Sequence, residues 1–174
     1  MALVLNGDGN VTGLTAGGLP DASITQSDLA ANVSGNGPVV LASQTVNQQT
    51  FTSSVLGKVI CDTKTVDTHN AYSTSTGIFQ PSVAGYYMVT CRVETSNRGG
   101  AETYETIRKN GSEYARCIDI TTTSWWGTPY TVLVYLNGST DYVEHYLFQS
   151  TGGNKVTTLG AYLTYFQAAL VRTA

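Results

Sequence analysis

Apolar and polar residues alternate through residues 38–174, and this alternation restricts the fold more than any other feature of the sequence. β-Branched and aromatic residues dominate the alternating segments, and none of these segments has the period of an amphipathic helix. Turn signals recur about every ten residues, a spacing typical of an all-β sandwich or jelly roll. Strands are therefore predicted at 39–46, 57–62, 77–80, 86–94, 103–109, 113–121, 130–136, 141–149 and 157–171.

A sharp corner between two of these strands is predicted within "STGIFQPSVAGYYM", residues 75–88. Pro81 removes a backbone donor where no ladder bond is needed, and Gly85 permits the backbone geometry with which a central strand begins. Along that strand the side chains should alternate between two faces. One face is predicted to hold Tyr87, Val89, Cys91 and Val93, and the other Tyr86, Met88, Thr90 and Arg92.

The first 37 residues have a different composition, with seven glycines and no lysine or arginine. Four apolar residues recur at every fifth position, a spacing that matches neither a helix face nor a strand face. A segment this short cannot bury them alone, so it is either disordered or packs against copies of itself; the regular spacing favours the second. We therefore predict a stalk segment over 1–37, with a helical turn near 27–32, and a jelly-roll head over 38–174.

The charge pattern excludes several classes of partner. Charged residues make up 12% of the chain, about half the usual share, and the net charge is −3 with no basic residue before Lys58. No basic surface is available to neutralise phosphates, so we predict no nucleic-acid partner and no attraction to anionic membranes. The sequence also has neither a long apolar run nor a secretion signal, so no membrane insertion is predicted.

No pattern of catalytic or metal-binding residues is found. The two histidines, His69 and His145, form no metal-ligand spacing, and neither a nucleophile elbow nor a phosphate-binding loop is present. We predict no catalytic residue, no cofactor and no metal, although an ion on a threefold axis needs only one carboxylate per chain. Buried free thiols are expected, with one disulfide left open, at Cys61, Cys91 and Cys117.

The segment "YSTSTGIFQPSVAGYYMVTCRV" resembles the signature of the globular head of the complement q-subcomponent. The matching residues are Tyr72, Gly77, Phe79, Pro81, Gly85, Tyr86 and Tyr87. Later segments are also similar to that family: "IRKNGSEYA", "VLVYLNGSTDYV" and "GAYLTYFQAALV", although the last strand continues to "VRTA" past the usual ending. The resemblance implies a tumour-necrosis-factor-like jelly roll, a homotrimer, and chain termini at the stalk end of the head.

The N-terminal segment resembles a different group of proteins. "GDGNVTGLTAGGLPDASITQSDLAANV" is similar to the segment before the tip domain of bacteriophage tail fibres, and the match lies at residues 17–24 and 28–30. Together the two resemblances imply the distal, trimeric end of a viral fibre, located on the virion. Met1 is either the natural start or a boundary introduced at cloning.

Trimer formation also has a physical motive in the sequence. In "YTVLVYL" both faces of the predicted strand are apolar, and "AYLTYFQAALV" is similar. A strand with one face in water would not have this pattern, so its second face is expected to meet a neighbouring subunit. The residues predicted at the trimer interface are Leu14, Leu19, Ile24, Leu29, Tyr130, Val132, Val134, Tyr162 and Phe166.

The connections between strands predict which end of the head binds a receptor. Successive connections alternate between the two ends, so the long loops 95–102, 122–129 and 150–155 should share one end and the tight Asn-Gly turns the other. The long-loop end is the free apex by resemblance to the complement heads. Loops on a rigid scaffold often carry recognition. The candidate receptor-binding residues are Asn97, Arg98, Trp125, Trp126, Asn154 and Lys155.

The predicted function is multivalent, reversible adhesion to a bacterial cell-surface receptor, either a glycan or a protein. Tryptophan rings offer flat apolar faces to sugar C–H groups and an N–H donor at the edge, which favours a glycan. Three copies of a weak site on one tip bind in effectively intramolecular steps. Two alternatives remain open, namely a depolymerase that cleaves surface polysaccharide and a structural clamp that registers the stalk.

Overall fold

The structure is a computed structural model that describes residues 36–95, 102–119 and 127–174, together with two short strands nearer the N-terminus. Those strands, β1 (Val4–Leu5) and β2 (Val11–Thr12), pair in antiparallel fashion. The chain divides into two compact units, Met1–Ala30 and Ala31–Ala174. The predicted helical turn near 27–32 lies outside the described residues.

The second unit is built from antiparallel strands, and its described residues contain no helix, which confirms the all-β prediction. A membrane-spanning helix is accordingly not found in the described part of the chain. The strands are β3 (Val39–Ser43), β4 (Thr50–Phe51), β5 (Gly57–Lys58), β6 (Thr63–Asp67), β7 (Tyr72–Ser73), β8 (Ile78–Phe79), β9 (Ala84–Arg92), β10 (Thr103–Lys109), β11 (Ser112–Asp119), β12 (Tyr130–Asn137), β13 (Val143–Gln149), β14 (Lys155–Val156) and β15 (Tyr165–Thr173).

Two main sheets enclose the core. The five-stranded sheet has the order β12-β9-β15-β3-β6. The six-stranded sheet has the order β11-β10-β13-β8-β7, and β5 adds to it by pairing with β13. A small two-stranded sheet joins β14 to β4. Neighbours in these sheets are mostly distant in sequence, as expected for a jelly roll.

Aromatic side chains from both sheets form the centre of the core. The ring of Phe79 lies 5.5 Å from that of Tyr87 and 5.7 Å from that of Phe166. The Tyr87 hydroxyl donates a 2.7 Å hydrogen bond to the Val83 carbonyl, which satisfies the one polar atom that this ring buries. Along β9 the predicted alternation is confirmed, because Tyr87 is fully buried whereas Met88 is 50% exposed.

The corner before β9 depends on Gly85 for a reason that the sequence did not reveal. A Cβ atom at Gly85 would lie 2.4 Å from the carbonyl oxygen of Arg172, on the neighbouring strand β15. The absence of a side chain therefore allows close approach of two backbones, rather than an unusual backbone angle. The strand itself begins at Ala84, two residues before the predicted start at Tyr86.

Other strand boundaries differ from the predictions. The final strand begins at Tyr165 rather than at residue 157, and the segment before it is a loop in which Thr157 and Thr164 are buried. In the second unit the strands β4, β6, β7 and β14 were not predicted. Strand β6 lies at a sheet edge and is largely exposed, so its sequence lacks the apolar alternation that marks a half-buried strand.

Strand register shows which connections share an end of the head. Arg92, at the end of β9, pairs with Tyr165, at the start of β15, whereas Gly85 pairs with Thr173 near the C-terminus. The start of β10 pairs with the ends of both β11 and β13. The strand ends that carry the three long connections therefore lie together, as predicted. We call this the apical end, and the C-terminal end of β15 lies opposite to it.

Asn-Gly turns close the opposite end. The β10–β11 hairpin turns at Asn110 and Gly111, which have φ values of 52° and 78°. Positive φ at both central positions is the geometry of a two-residue hairpin turn, and it confirms the prediction from the Asn-Gly sequence. The second turn has Gly138 at φ 70°, between β12 and β13.

Candidate binding and assembly surfaces

The structure describes part of the predicted receptor-binding set. Asn154 is exposed at the apical end, and the neighbouring Lys155 is half-buried at the start of β14. Four of the predicted residues, namely Asn97, Arg98, Trp125 and Trp126, lie outside the described residues, so their role stays a prediction. What the structure describes at the apical end is the set of strand ends and the loops that frame these four positions.

A buried glutamine holds the loop that contains Asn154. The Gln149 side-chain amide donates to the carbonyls of Phe51 and Gly153, both at 3.0 Å. Its carbonyl oxygen accepts from the backbone amide and hydroxyl of Thr151, at 2.9 and 2.7 Å. This side chain therefore makes four hydrogen bonds, the number that a carboxamide with two donors and two lone pairs can make.

A second glutamine network supports the neighbouring loops. Gln44 donates to Gln49 Oε1 at 3.0 Å, and the same oxygen accepts from the Ile60 backbone amide at 2.7 Å. The Gln49 backbone amide in turn donates to the Thr157 hydroxyl at 2.9 Å. Carboxamides and hydroxyls do not titrate near neutral pH, so these bonds do not depend on the protonation of a side chain. In the described part of the chain no three of His, Cys, Asp and Glu gather where they could hold a metal ion.

A buried acid–histidine pair lies between the two sheets. His145 Nε2 and Glu105 Oε2 are 2.9 Å apart, and each side chain is about 2% exposed. The same carboxylate oxygen accepts a 3.1 Å hydrogen bond from the Val93 backbone amide. The pair therefore connects β10 and β13 of the six-stranded sheet to the segment that follows β9 of the five-stranded sheet.

Sequence reasoning missed this pair, although a signal was present. Glu105 and His145 stand at inward positions of strands that pair directly, with Ile107 opposite His145. Such residues are diagonal neighbours on one face of the sheet and lie within reach of long side chains. A polar residue at an inward position needs a buried partner. Because both side chains are sealed from solvent, the pair is structural rather than catalytic.

The buried thiols and tyrosine near this pair are not activated. Complete burial raises the pKa of the Cys91 thiol well above its usual value, and the nearby Glu105 carboxylate raises it further. Burial likewise raises the pKa of Cys61 to about 12 and raises that of Tyr130. These groups stay protonated at neutral pH, so none of them is a ready nucleophile. The third cysteine, Cys117, is half-buried in β11.

The end of the head that carries the Asn-Gly turns, which we call the turn end, is held by an ion pair and by hydrogen bonds to charged and carboxamide side chains. Lys109 Nζ lies 2.9 Å from Asp141, which also accepts a 2.7 Å hydrogen bond from the Asn110 carboxamide. Asn137 Oδ1 accepts from the backbone amides of the next turn, with that of Asp141 at 2.9 Å. The turns at this end are short and tightly bonded, so they leave no long loop for recognition.

The predicted trimer-interface residues in the head divide into two groups. Val134 and Phe166 are 1% exposed in the core of the single chain, so their assignment to the interface is wrong. Tyr130 and Val132 pack against the same core. Strand alternation shows that residues 130, 132 and 134 share a face, but it does not show which face points outward.

The outward face of the five-stranded sheet is apolar, and we call it the apolar face. It includes Leu133, 55% exposed, and Tyr135, 39% exposed, which alternate with the inward residues of β12. The Tyr135 ring lies 5.5 Å from the ring of Tyr86 on β9. Two shallow depressions of about 700 and 360 Å³ cross this face. Its other exposed apolar residues are Val39, Val66, Met88 and Val171.

Tyr162 lies just before β15, at the apical end of this sheet. Its side chain is 74% exposed, and its carbonyl accepts a hydrogen bond from the Arg92 guanidinium at the apical end of β9. The residue is thus available to a partner, and its role in a trimer stays a prediction. The four predicted stalk contacts, at Leu14, Leu19, Ile24 and Leu29, lie outside the described residues.

Comparison with solved structures identifies the fold. A crystal structure of murine APRIL at pH 5.0 superposes with a TM-score of 0.61 at 12% identity, covering 77% of this chain and 98% of that chain. The globular domain of zebrafish complement 1qA superposes with a TM-score of 0.58 at 14% identity, covering 79% of this chain and 98% of that chain. The head is a jelly roll of the tumour-necrosis-factor and complement-1q type.

A third solved structure with a similar fold is that of the Eiger TNF from S. frugiperda. It superposes with a TM-score of 0.60 at 8% identity, covering 78% of this chain and 93% of that chain. Identities this low establish a common fold and no more. No family model matches the sequence. No curated protein matches it either.

Proposed function

We propose that this chain is the distal, receptor-binding end of a bacteriophage tail fibre, and that it works as a homotrimer on the virion. The observation that carries the proposal is the apolar face, which a single jelly roll would leave in water. The fold adds support because murine APRIL and zebrafish complement 1qA share it. The viral assignment depends on the resemblance of residues 17–30 to tail-fibre segments.

Packing of three apolar faces around one axis would supply the energy for assembly. Burying a large apolar side chain completely is worth about 1.5–3 kcal/mol. The residues Tyr86, Met88, Leu133, Tyr135 and Val171 are each roughly half exposed, so about half of that value is available to an interface. These five side chains would then contribute about 4–7 kcal/mol per subunit.

Receptor binding is assigned to the apical loops. They leave from the end of the head opposite to the C-terminus of β15, and the carboxamides of the buried Gln149 and the half-buried Gln49 hold the described loops at that end. Trp125 and Trp126 would stack on sugars of a bacterial surface glycan, with hydrogen bonds from Asn97, Arg98, Asn154 and Lys155. Three weak sites on one tip give reversible, multivalent adhesion without catalysis.

Competition for adsorption tests the proposal. Purified head should block adsorption of the parent virion to its host cells, and Trp125→Ala combined with Trp126→Ala should reduce this blocking at least tenfold. Tyr142→Ala, at the turn end, is the matched control and should block normally. Light scattering must show that all three proteins have the same oligomeric state.

Two results would replace the proposal with one of the alternatives. Shortening of host polysaccharide chains by the purified head would make it a depolymerase. Unchanged blocking by a trimeric double-tryptophan variant would remove the role of these residues and favour a structural clamp. A head that is monomeric at working concentration would remove the argument for multivalent binding.

A further inference from the structure

A polar groove lies at the side of the head, away from the predicted apical site. It is formed where the edge strands β6 and β7 and the turn after β7 come together, and it has a volume of about 470 Å³. This volume falls within the range of small-molecule sites, about 300–1,000 Å³. The polar residues that line the groove are Lys64, Asn70, Ser73, Thr74, Ser75, Thr76 and Gln80.

One wall of the groove is held rigid by a buried carboxylate. Asp67 accepts hydrogen bonds from the backbone amides of Ala71 and Tyr72, at 2.8 and 3.2 Å, and from Lys64 Nζ at 2.8 Å. Partial burial opposes ionisation of Asp67, but these three donors outweigh it and hold its pKa below the usual value. Lys64 also donates to Asn70 Oδ1 at 3.0 Å, which fixes the carboxamide at the rim.

The other wall is a turn that glycine makes possible. The Gly77 amide donates to the Ser73 carbonyl at 2.8 Å, and the Thr76 amide donates to the Ser73 hydroxyl at 3.2 Å. Gly77 has a φ of 66°, and a Cβ at this position would lie 2.9 Å from the Val59 carbonyl oxygen. The hydroxyl-bearing turn is therefore preorganised, which lowers the entropy cost of binding a ligand.

The lining selects a class of ligand. It presents the hydroxyls of four serine and threonine residues and two carboxamides, and its one cation, Lys64, is neutralised by an ion pair with Asp67. A phosphate or carboxylate ligand would need excess positive charge here. An apolar ligand would leave these polar groups without partners, at about 1–3 kcal/mol for each. A neutral molecule with many hydroxyl groups satisfies both conditions.

We propose that this groove binds one or two neutral sugar units of a bacterial surface glycan, as a lateral subsite separate from the apical loops. That the glycan comes from a bacterial surface rests on the proposed adhesion function. That the groove binds a neutral sugar rests only on the residues that line it. Binding at one such subsite is expected to be weak, in the millimolar range, because few contacts offset the cost of association. Three grooves per trimer would add to the multivalent attachment.

Saturation-transfer NMR on the full chain tests the groove directly. The probes are the methyl glycosides of glucose, galactose and N-acetylglucosamine, with glucose 6-phosphate as a charged comparison. At least one neutral glycoside should receive saturation, and the phosphate should receive at least fivefold less. Ser75→Trp, which fills the groove from an exposed position, should reduce the neutral signal at least fivefold. Ser112→Trp, exposed in the β10–β11 hairpin, is the matched control.

The outcomes test the groove proposal and the adhesion proposal separately. The groove proposal is overturned if no neutral glycoside receives saturation, or if the signal survives Ser75→Trp. Thr76→Val, which removes one hydroxyl, provides a second test should Ser75→Trp unfold, and the signal should fall at least twofold. A groove signal from a head that fails to block adsorption would overturn the adhesion function alone. Normal blocking of adsorption by a chain that gives no saturation signal with any neutral glycoside would overturn the groove alone.

Discussion

The outward faces of the two sheets contrast in chemistry although both carry aromatic residues. On the six-stranded sheet the Arg116 guanidinium lies 3.9 Å from the centroid of the Tyr104 ring, which stacks on Phe148 at 4.8 Å. On the five-stranded sheet Met88 and Leu133 are 50% and 55% exposed among other apolar side chains. The six-stranded sheet presents aromatic rings beneath cations. The five-stranded sheet presents aliphatic groups directly, and one aromatic ring on its edge strand, Tyr135, has Lys109 Nζ 5.6 Å from its centroid.

The side chains on the outward face of a strand indicate whether that face meets water or another protein. A guanidinium or ammonium over an aromatic ring gains cation–π energy and keeps a charge in water, so such a ring suits a solvated face. The Tyr146 ring follows the same rule, with Arg108 at 5.4 Å and Lys58 at 5.7 Å. An extended aliphatic patch has no comparable adaptation to water and indicates a protein partner. The contrast supports the proposal that subunits assemble through the five-stranded sheet and leave the six-stranded sheet in water.

The largest expected effect comes from a charge on the apolar face. Leu133→Asp should convert the proposed trimer to a monomer, because the interface loses apolar contact and gains a charge in each of three copies, together about 5 kcal/mol or more. Sedimentation velocity at micromolar concentration measures the change. Tyr146→Asp makes the same substitution on the six-stranded sheet and should leave the trimer intact. Dissociation by both variants, or by neither, would break the contrast between the faces.

A substitution between the sheets should act on folding rather than on assembly. Glu105→Ala leaves His145 and the Val93 amide without this buried hydrogen-bond partner, and each buried polar group left without a partner costs about 1–3 kcal/mol. Urea denaturation at fixed protein concentration measures the free energy of unfolding. Glu102→Ala, at an exposed position, should change it by less than about 0.5 kcal/mol. Equal stability of the two variants would contradict the structural role of the pair.

The turn that joins the two sheets gives an intermediate effect. Gly138 has a φ of 70°, and an added Cβ would lie 2.4 Å from the Ala84 amide nitrogen. Gly152 has a φ of 79° with open space around it. Gly152→Ala should cost about 1–2 kcal/mol from the backbone angle alone, and Gly138→Ala should cost at least 1 kcal/mol more because the clash adds to it. Thermal unfolding of both variants measures the difference, and equal melting temperatures would refute the clash.

The smallest expected effect is a change in acid sensitivity at the crossing from β5 to β6. Partial burial opposes ionisation of Asp62, but donors that include the amides of Thr45 and Asn47 outweigh it and lower its pKa. A carboxyl whose pKa is lower in the folded state stabilises the fold fully at pH values above its pKa in the unfolded state. This stabilisation is lost as the pH falls through the folded-state pKa. Asp62→Asn should therefore lose stability at pH 7 and lose less between pH 5 and pH 2 than the natural chain.

The measurement for Asp62 is the melting temperature across that pH range. Thr65→Asn, at an exposed position of β6, is the control and should keep the acid dependence of the natural chain. Parallel curves for Asp62→Asn and the natural chain would show that the carboxylate contributes nothing to acid sensitivity.

Much of the fold was predictable because strands leave local signals. The Asn-Gly pair at Asn110 predicted a hairpin, and the alternation along β9 predicted which residues share a face. The short strands β4 and β14 were missed because each has two residues and pairs with a distant segment. The predicted receptor-binding tryptophans stay untested. The lateral groove is lined by residues within 64–80, and it was missed because neither β6 nor β7 was predicted as a strand.

Local sequence patterns were enough to predict an all-β sandwich with tight turns at one end and long loops at the other, because alternation and turn chemistry act within a few residues. Tertiary structure alone decided which face of β12 is inward, since Val134 and Leu133 are both apolar. It also decided that Glu105 meets His145 across two strands. Which side chains are buried and which of them pair depends on how the sheets pack. A local pattern shows which residues of a strand share a face, but it does not show which face points inward.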